Sequence, residues 1–182
     1  MARRIQKKKV LDRKNLIEIV NFIIKLNILA IPLWFLIYID FSLPLVQIFI
    51  AHAVQRTLVV LGTQASVEGF FITVASHLKF MIIEINVDCT GWKSLYALTA
   101  LTIATPFFAA KNKTKFLIIA LTILFVINFL RIVTTVEIGV LFGLERMWVV
   151  HTLLWREGLI AIVIIMWYLW AKKGLFLKGR TG

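Results

Sequence analysis

A chain of 182 residues that is 60% hydrophobic, with mean hydropathy +0.90, is too apolar for a soluble globular domain, which averages about 45–50% apolar. Its length suits one membrane domain and leaves no room for a separate soluble one. The net charge of +12 is gathered at the flanks of apolar runs, which excludes an extended basic surface for nucleic acid.

Residues 1–18 form a basic, cytoplasmic lead-in that carries Arg3, Arg4, Lys7, Lys8, Lys9, Arg13 and Lys14. The apolar run from about Phe22 to Phe41 is long enough to span a bilayer. It is too long for a signal-peptide core and lacks a small-residue cleavage site, so it reads as a retained helix. Lys25 snorkels to the cytoplasmic surface, and Tyr38 and Asp40 mark the outer end. Leu43–Leu61 has spanning length but carries Gln47, His52, Gln55 and Arg56. Gln47, Ala51 and Gln55 recur at four-residue spacing with His52 and Arg56 beside them. Such a helix lies in the interface, or spans with its polar stripe inward.

From Gly62 to Asp88 the pattern changes. Ile83, Ile85 and Val87 alternate with Glu84, Asn86 and Asp88, a period of two that predicts a strand. Phe70–Val74 pairs with it as a hairpin whose turn lies near Ser76. Continued to Cys89, that strand puts the cysteine on the apolar face and turns Asp88 away. Further spans follow at Trp92–Ala110, Phe116–Val136 and Trp148–Ala171. The turn Lys111–Lys115 separates the first two, and the linker Glu137–Met147 the last two. Residues 19–171 thus form one multi-pass membrane domain, and 172–182 a basic cytoplasmic tail with Lys172, Lys173, Lys178 and Arg180. The fold class is an all-α integral membrane protein with about four spans, five or six being the upper count, an outer interfacial helix and a small strand-like hairpin.

Charge parity sets the expected topology. With all three basic clusters inside, the helix starting at Trp92 runs inward, so Cys89 lies outside. Both termini are then cytoplasmic. Arg131 sits about five residues from the outer end of its helix, or roughly 8 Å deep. His151 lies about one turn inside the outer end of the last helix. Cys89, Arg131 and His151 therefore reach one leaflet.

Cys89 is the sole cysteine, which excludes an internal disulfide and a paired-cysteine metal site. At a helix start, the positive end of the dipole lowers a thiol pKa, while Asp88 opposes this. Thr90 and Gly91 leave the approach uncrowded, and Lys93 is near. The plainer reading of Cys89 is a buried structural residue. Arg131 is costly inside a span unless it faces a polar interior, and Asn128 shares its face. His151 is the preferred proton carrier. His52 and His77 compete with it, and Gly158 on the same face favours close packing. Glu157 pairs with Arg131 or Arg156 in the plainer reading. No cofactor or metal is implied.

Cys89-Thr90-Gly91 at the outer start of a helix resembles the Cys-(Ser/Thr)-Gly motif of archaeosortases and exosortases. The arginine of Asn128-Phe129-Leu130-Arg131 is similar to the family's second motif, and His151 to its third. The resemblance covers about residues 58–160 and implies a membrane cysteine transpeptidase, with Cys89, Arg131 and His151 catalytic and Asn128, Thr90 and Gly91 in support. Its implied partners are exported proteins with a C-terminal tripartite signal (motif, spanning helix, basic tail). A membrane lipid is the implied acceptor, and no nucleic acid is involved. The alternatives are a non-enzymatic membrane assembly or scaffold protein, and a transporter or channel fragment. The latter is disfavoured by the lack of repeats or broken helices.

Overall fold

The computed structural model describes residues 13–75, 80–106, 108–153 and 158–178. Among the described residues six α-helices carry the chain: α1 (Arg13–Tyr38), α2 (Pro44–Val60), α3 (Trp92–Ala104), α4 (Ala110–Phe142), α5 (Leu144–Thr152) and α6 (Leu159–Lys178). Between α2 and α3 lie three strands, β1 (Ala65–Glu68), β2 (Phe71–Ala75) and β3 (Phe80–Glu84), and a 3-10 turn, Val87–Thr90. Among the described residues, Leu16–Tyr38 and Ala110–Phe142 are long and apolar enough to cross a membrane. Side chains such as Ile31, Trp34, Ile118 and Ile119 stand exposed along them, as hydrocarbon solvent requires and water forbids.

α4 is the organising helix. Its 33 residues rise about 50 Å, well beyond the ~30 Å hydrocarbon core. Ala120 and Leu124 pack with Leu98 of α3 and with Leu159 and Val163 of α6. Ile132, Val133, Val136 and Val140 pack with Ile50, Val54 and Leu58 of α2 and with Ile72, Val74 and Met81 of the sheet. Two apolar cores thus share one helix. Asn128 and Arg131, both buried, stand at the junction between them.

The expected hairpin forms, with Ile72 opposite Ile83 and Val74 opposite Met81. β1 adds a third antiparallel strand that the residue pattern had not indicated. Ser76 and the rest of the expected turn, with His77, lie outside the described residues. β3 ends at Glu84, so the strand does not run on to Cys89. Buried Ile85 closes the sheet face, and the chain coils tightly from Val87.

α2 turns Gln47, Ile50, Ala51, Val54 and Leu58 inward. Its two glutamines satisfy carbonyls of the sheet region: Gln47 Nε2 donates to the Ile85 oxygen at 3.0 Å, and Gln55 Nε2 to the Ala65 oxygen at 3.0 Å. His52 and Arg56 go outward, so the stripe read from the sequence is split between two faces.

Four boundaries differ from expectation. α3 stops at Ala104 because Pro106 forces extended backbone at Thr105. Its 13 residues rise only about 20 Å. Lys111–Lys115 is the opening of α4 rather than a turn, and Lys113 Nζ donates to the Ile103 carbonyl at the end of α3. Glu137 is helical and accepts from the Thr63 hydroxyl at 2.9 Å, so the linker begins only at Gly143. The last run holds the end of α5 and most of α6, and residues 154–157 between them, with Arg156 and Glu157, lie outside the described residues. α1 leans on α3, where the Tyr96 hydroxyl donates to the Leu29 carbonyl at 2.7 Å. That carbonyl lies in the turn before Pro32, where the missing N–H loosens the helix ladder.

Replacing Gln47 with Leu keeps the volume and strands the Ile85 carbonyl. The expected loss is about 1–3 kcal/mol, read as a lower thermal midpoint by circular dichroism in detergent.

Candidate active site

The turn before α3 is built from short-range bonds. Asn86 Oδ1 accepts from the Cys89 N–H at 3.0 Å, the reach of a capping side chain. The Thr90 hydroxyl donates to the Val87 carbonyl at 2.7 Å and accepts from the Trp92 N–H at 3.3 Å. Thr90 is buried, so it staples the turn and does not open an approach. Gly91 has φ +72°, a left-handed conformation that lets the chain leave the turn and enter α3. A Cβ there would lie 2.9 Å from Asn128 Cγ. That space is used: Asn128 Nδ2 donates to the Cys89 carbonyl at 2.8 Å, tying the turn to α4.

Arg131 lies one turn further along α4. It is 6% exposed, and its Nε, Nη1 and Nη2 have no hydrogen-bond partner among the described residues. Asn128 Oδ1 is also unpaired. His151 arrives from α5, which Gly143 (φ +88°) folds back along α4. Gly139 makes room for the return, since a Cβ there would meet Met147 Sδ at 2.7 Å. Trp148 packs edge-on to His151, ring centroids 6.0 Å apart. His151 therefore lies on α5, one residue before its last, and residues 154–157 beyond it lie outside the described residues. Among the described residues, a Cβ on Gly158 would meet only the Leu153 carbonyl, at an ordinary 3.6 Å.

Cys89, Arg131 and His151 line one cavity of about 310 Å³. The 3-10 turn, α4 and α5 deliver them, and β3 supplies the remaining wall. His52 is exposed on α2 and does not line it. Glu84, Asn86, Thr135 and Trp148 also line the cavity and had not been singled out. Two of them had readable signals. Asn86 precedes Cys89 by three, a capping interval, and Thr135 follows Arg131 by four, one face of a helix. Among the described residues no cluster of His, Cys, Asp or Glu is arranged to hold a metal.

Burial pushes the Cys89 thiol above its ordinary pKa. The nearby Arg131 guanidinium and the Asn86 bond pull it down, while Asp88 and Glu84 push it up. Burial prevails, so the thiolate expected from the helix dipole is not the resting form. Lys93 does not serve the thiol. Its Nζ pairs with Asp88 at 2.7 Å and offsets the carboxylate that sits next to the cysteine.

A family model described as transmembrane exosortase matches residues 15–171. No curated protein and no solved structure matches the chain significantly.

Gly91→Ala forces a strained φ and displaces Asn128. It should cost about 1–2 kcal/mol and lower the thermal midpoint. Alkylation of Cys89 by iodoacetamide should rise with pH and reach its midpoint above the ordinary thiol value. Arg131→Gln removes the charge that opposes the upward shift, so that midpoint should move higher still. A lower midpoint in Arg131→Gln would contradict the electrostatics.

Proposed function

The chain belongs to the transmembrane exosortase family, and from that membership we propose that it is a membrane cysteine transpeptidase that cleaves C-terminal sorting signals of exported proteins. The observation that carries the reading is the cavity where a sole cysteine, an arginine with no hydrogen-bond partner among the described residues and a histidine meet. A buried guanidinium is stabilised when an anion or oxyanion arrives, and acyl transfer generates one there.

The Cys89 thiol rests neutral. As it attacks the scissile carbonyl, its proton passes to His151 and the carbonyl oxygen takes up negative charge against Arg131. The tetrahedral adduct collapses, the C–N bond breaks, and His151 protonates the leaving amine. A thioester on Cys89 remains. His151 then deprotonates the acceptor, a lipid nucleophile or water, which attacks the thioester. The C–S bond breaks and the thiol is restored by the proton from His151. Asn128, Thr90 and Gly91 act through Cys89 by holding its turn.

The substrate carries a short motif, a spanning helix and a basic tail. Its helix enters from the bilayer, with the tail beside the enzyme's own basic clusters on the cytoplasmic side. Both termini of the enzyme are cytoplasmic, and the cavity opens to the extracytoplasmic side. The placement of Lys111, Lys113 and Lys115 at one end of α4, with Arg131 toward the other, supports that orientation.

Cys89→Ala should insert normally and leave substrate uncleaved. The measurement is the C-terminal mass of reporters that end in a genome-encoded apolar helix and basic tail. Unchanged processing by this variant would falsify the proposal. In intact cells an impermeant maleimide should label Cys89, and labelling only after lysis would reverse the topology.

A further inference from the structure

β3 is the last strand of the sheet, and its outer edge faces the cavity. Ile82, Ile83, Glu84, Ile85 and Asn86 all line that cavity. Ile82, Ile83 and Glu84 belong to the strand, whose side chains alternate, so neighbours from both faces border this one space, and Ile85 and Asn86 continue the wall past the strand's end. The hydrogen-bond parity says which groups are open. The Ile85 N–H donates to the Phe70 carbonyl at 2.8 Å, so Ile85 points toward β2, and Ile83 and Met81 share that direction. On the other side of β2, Ala75 N–H donates to Gln64 at 2.9 Å, which fixes the same alternation independently. The N–H and C=O of Ile82 and Glu84 therefore point outward, away from the sheet. The Ile82 side chain is 72% exposed beside them.

We propose that the open edge of β3 binds an extended segment of the substrate, flanking its scissile bond, as a fourth strand. The inference rests on the proposed role of Cys89 and specifies how the peptide reaches it. β3 leads into Asn86 and the turn that bears Cys89, so a strand on this edge lies along the path to the thiol. Arg131, buried in the same cavity wall with no hydrogen-bond partner among the described residues, is the second mark of a ligand, since it can receive the carbonyl oxygen of that same peptide. Backbone pairing gives affinity without demanding particular side chains. The small cavity then receives the side chains next to the cleaved bond.

Proline separates this from a merely apolar wall. Ile82→Pro deletes an N–H on the open edge and no bond within the sheet, the kind of site where an edge strand tolerates proline. The reporter is one that wild type cleaves and Cys89→Ala does not, so the proposed function holds before this test begins. Ile82→Pro should slow its cleavage by about tenfold or more, while iodoacetamide still alkylates Cys89 at the wild-type rate. Val67→Pro, which deletes an outward N–H on the far edge of β1, should cleave within about twofold of wild type. Should Ile82→Pro fail to accumulate, a benzoylphenylalanine in place of Ile82 in the Cys89→Ala enzyme should crosslink the reporter next to its cleavage point. Wild-type cleavage by Ile82→Pro overturns the inference. So does a change confined to oligomeric size, which would mean that the edge pairs with a second copy, or crosslinking only to the reporter's spanning helix.

Discussion

The hydrogen bond from Asn128 to the Cys89 carbonyl is the tie on which the arrangement depends. The turn Val87–Thr90 is four residues long and has no core of its own. Asn86 and Thr90 shape it from within, but only Asn128 fixes it with a side-chain bond to the long helix. Gly91 is the complement of that bond. Any side chain at this position would occupy the place of the Asn128 amide. The two residues are 37 apart in the chain and form one device. They set where the cysteine stands relative to Arg131, which lies one helical turn beyond Asn128.

Arg131 in turn depends on the two apolar cores. Among the described residues its guanidinium has no hydrogen-bond partner, and a charge buried in that way costs several kcal/mol, which a helix end or loop would relax to release. Mid-α4, relaxation is blocked. Below it, Ala120 and Leu124 are locked against α3 and α6; above it, Ile132, Val133 and Val136 are locked against α2 and the sheet. The stability of both cores holds the guanidinium in an unfavourable place, buried in the wall of the cavity. Local strain sustained by surrounding structure is the usual mark of a functional site.

Much of this was legible in the residues. The pairing of Phe70–Val74 with the chain ahead of Cys89 was legible, although the strand is Phe80–Glu84 and shares only Ile83 and Glu84 with the alternating stretch Ile83–Asp88. The lone cysteine followed by Thr90 and Gly91 marked the turn into α3. Asn128 and Arg131 at three-residue spacing announced one buried polar face. What stayed hidden was nonlocal. β1 (Ala65–Glu68) is short, and its strand character comes from pairing with β2 and covering by α2. The helix runs on through Glu137 and Gly139, where the Thr63 hydroxyl donates to the Glu137 carboxylate from another element. The pKa of Cys89 also escaped. The dipole at a helix start is a local feature, whereas burial under the sheet core is a tertiary one, and burial is the larger.

The added length of α4 leaves the depth of the site almost unchanged. Counted from an end near Val136, Arg131 lies five residues deep; the helix instead runs to Phe142, eleven residues beyond it. Yet in the proposed orientation the bilayer is anchored at the other end, by Lys111, Lys113 and Lys115. About twenty residues from Phe116 fill the hydrocarbon and reach Thr135. In the proposed orientation Arg131 then stays within about a turn of the outer boundary, and the segment from Val136 onward rises above it. That projecting segment has a use. It carries Gly139 and Gly143, the two glycines that let α5 fold back and bring His151 down to the cavity. A helix ending at the membrane surface would have no length along which to return. The overshoot of α4 is therefore what allows a histidine beyond its end to meet an arginine at its middle.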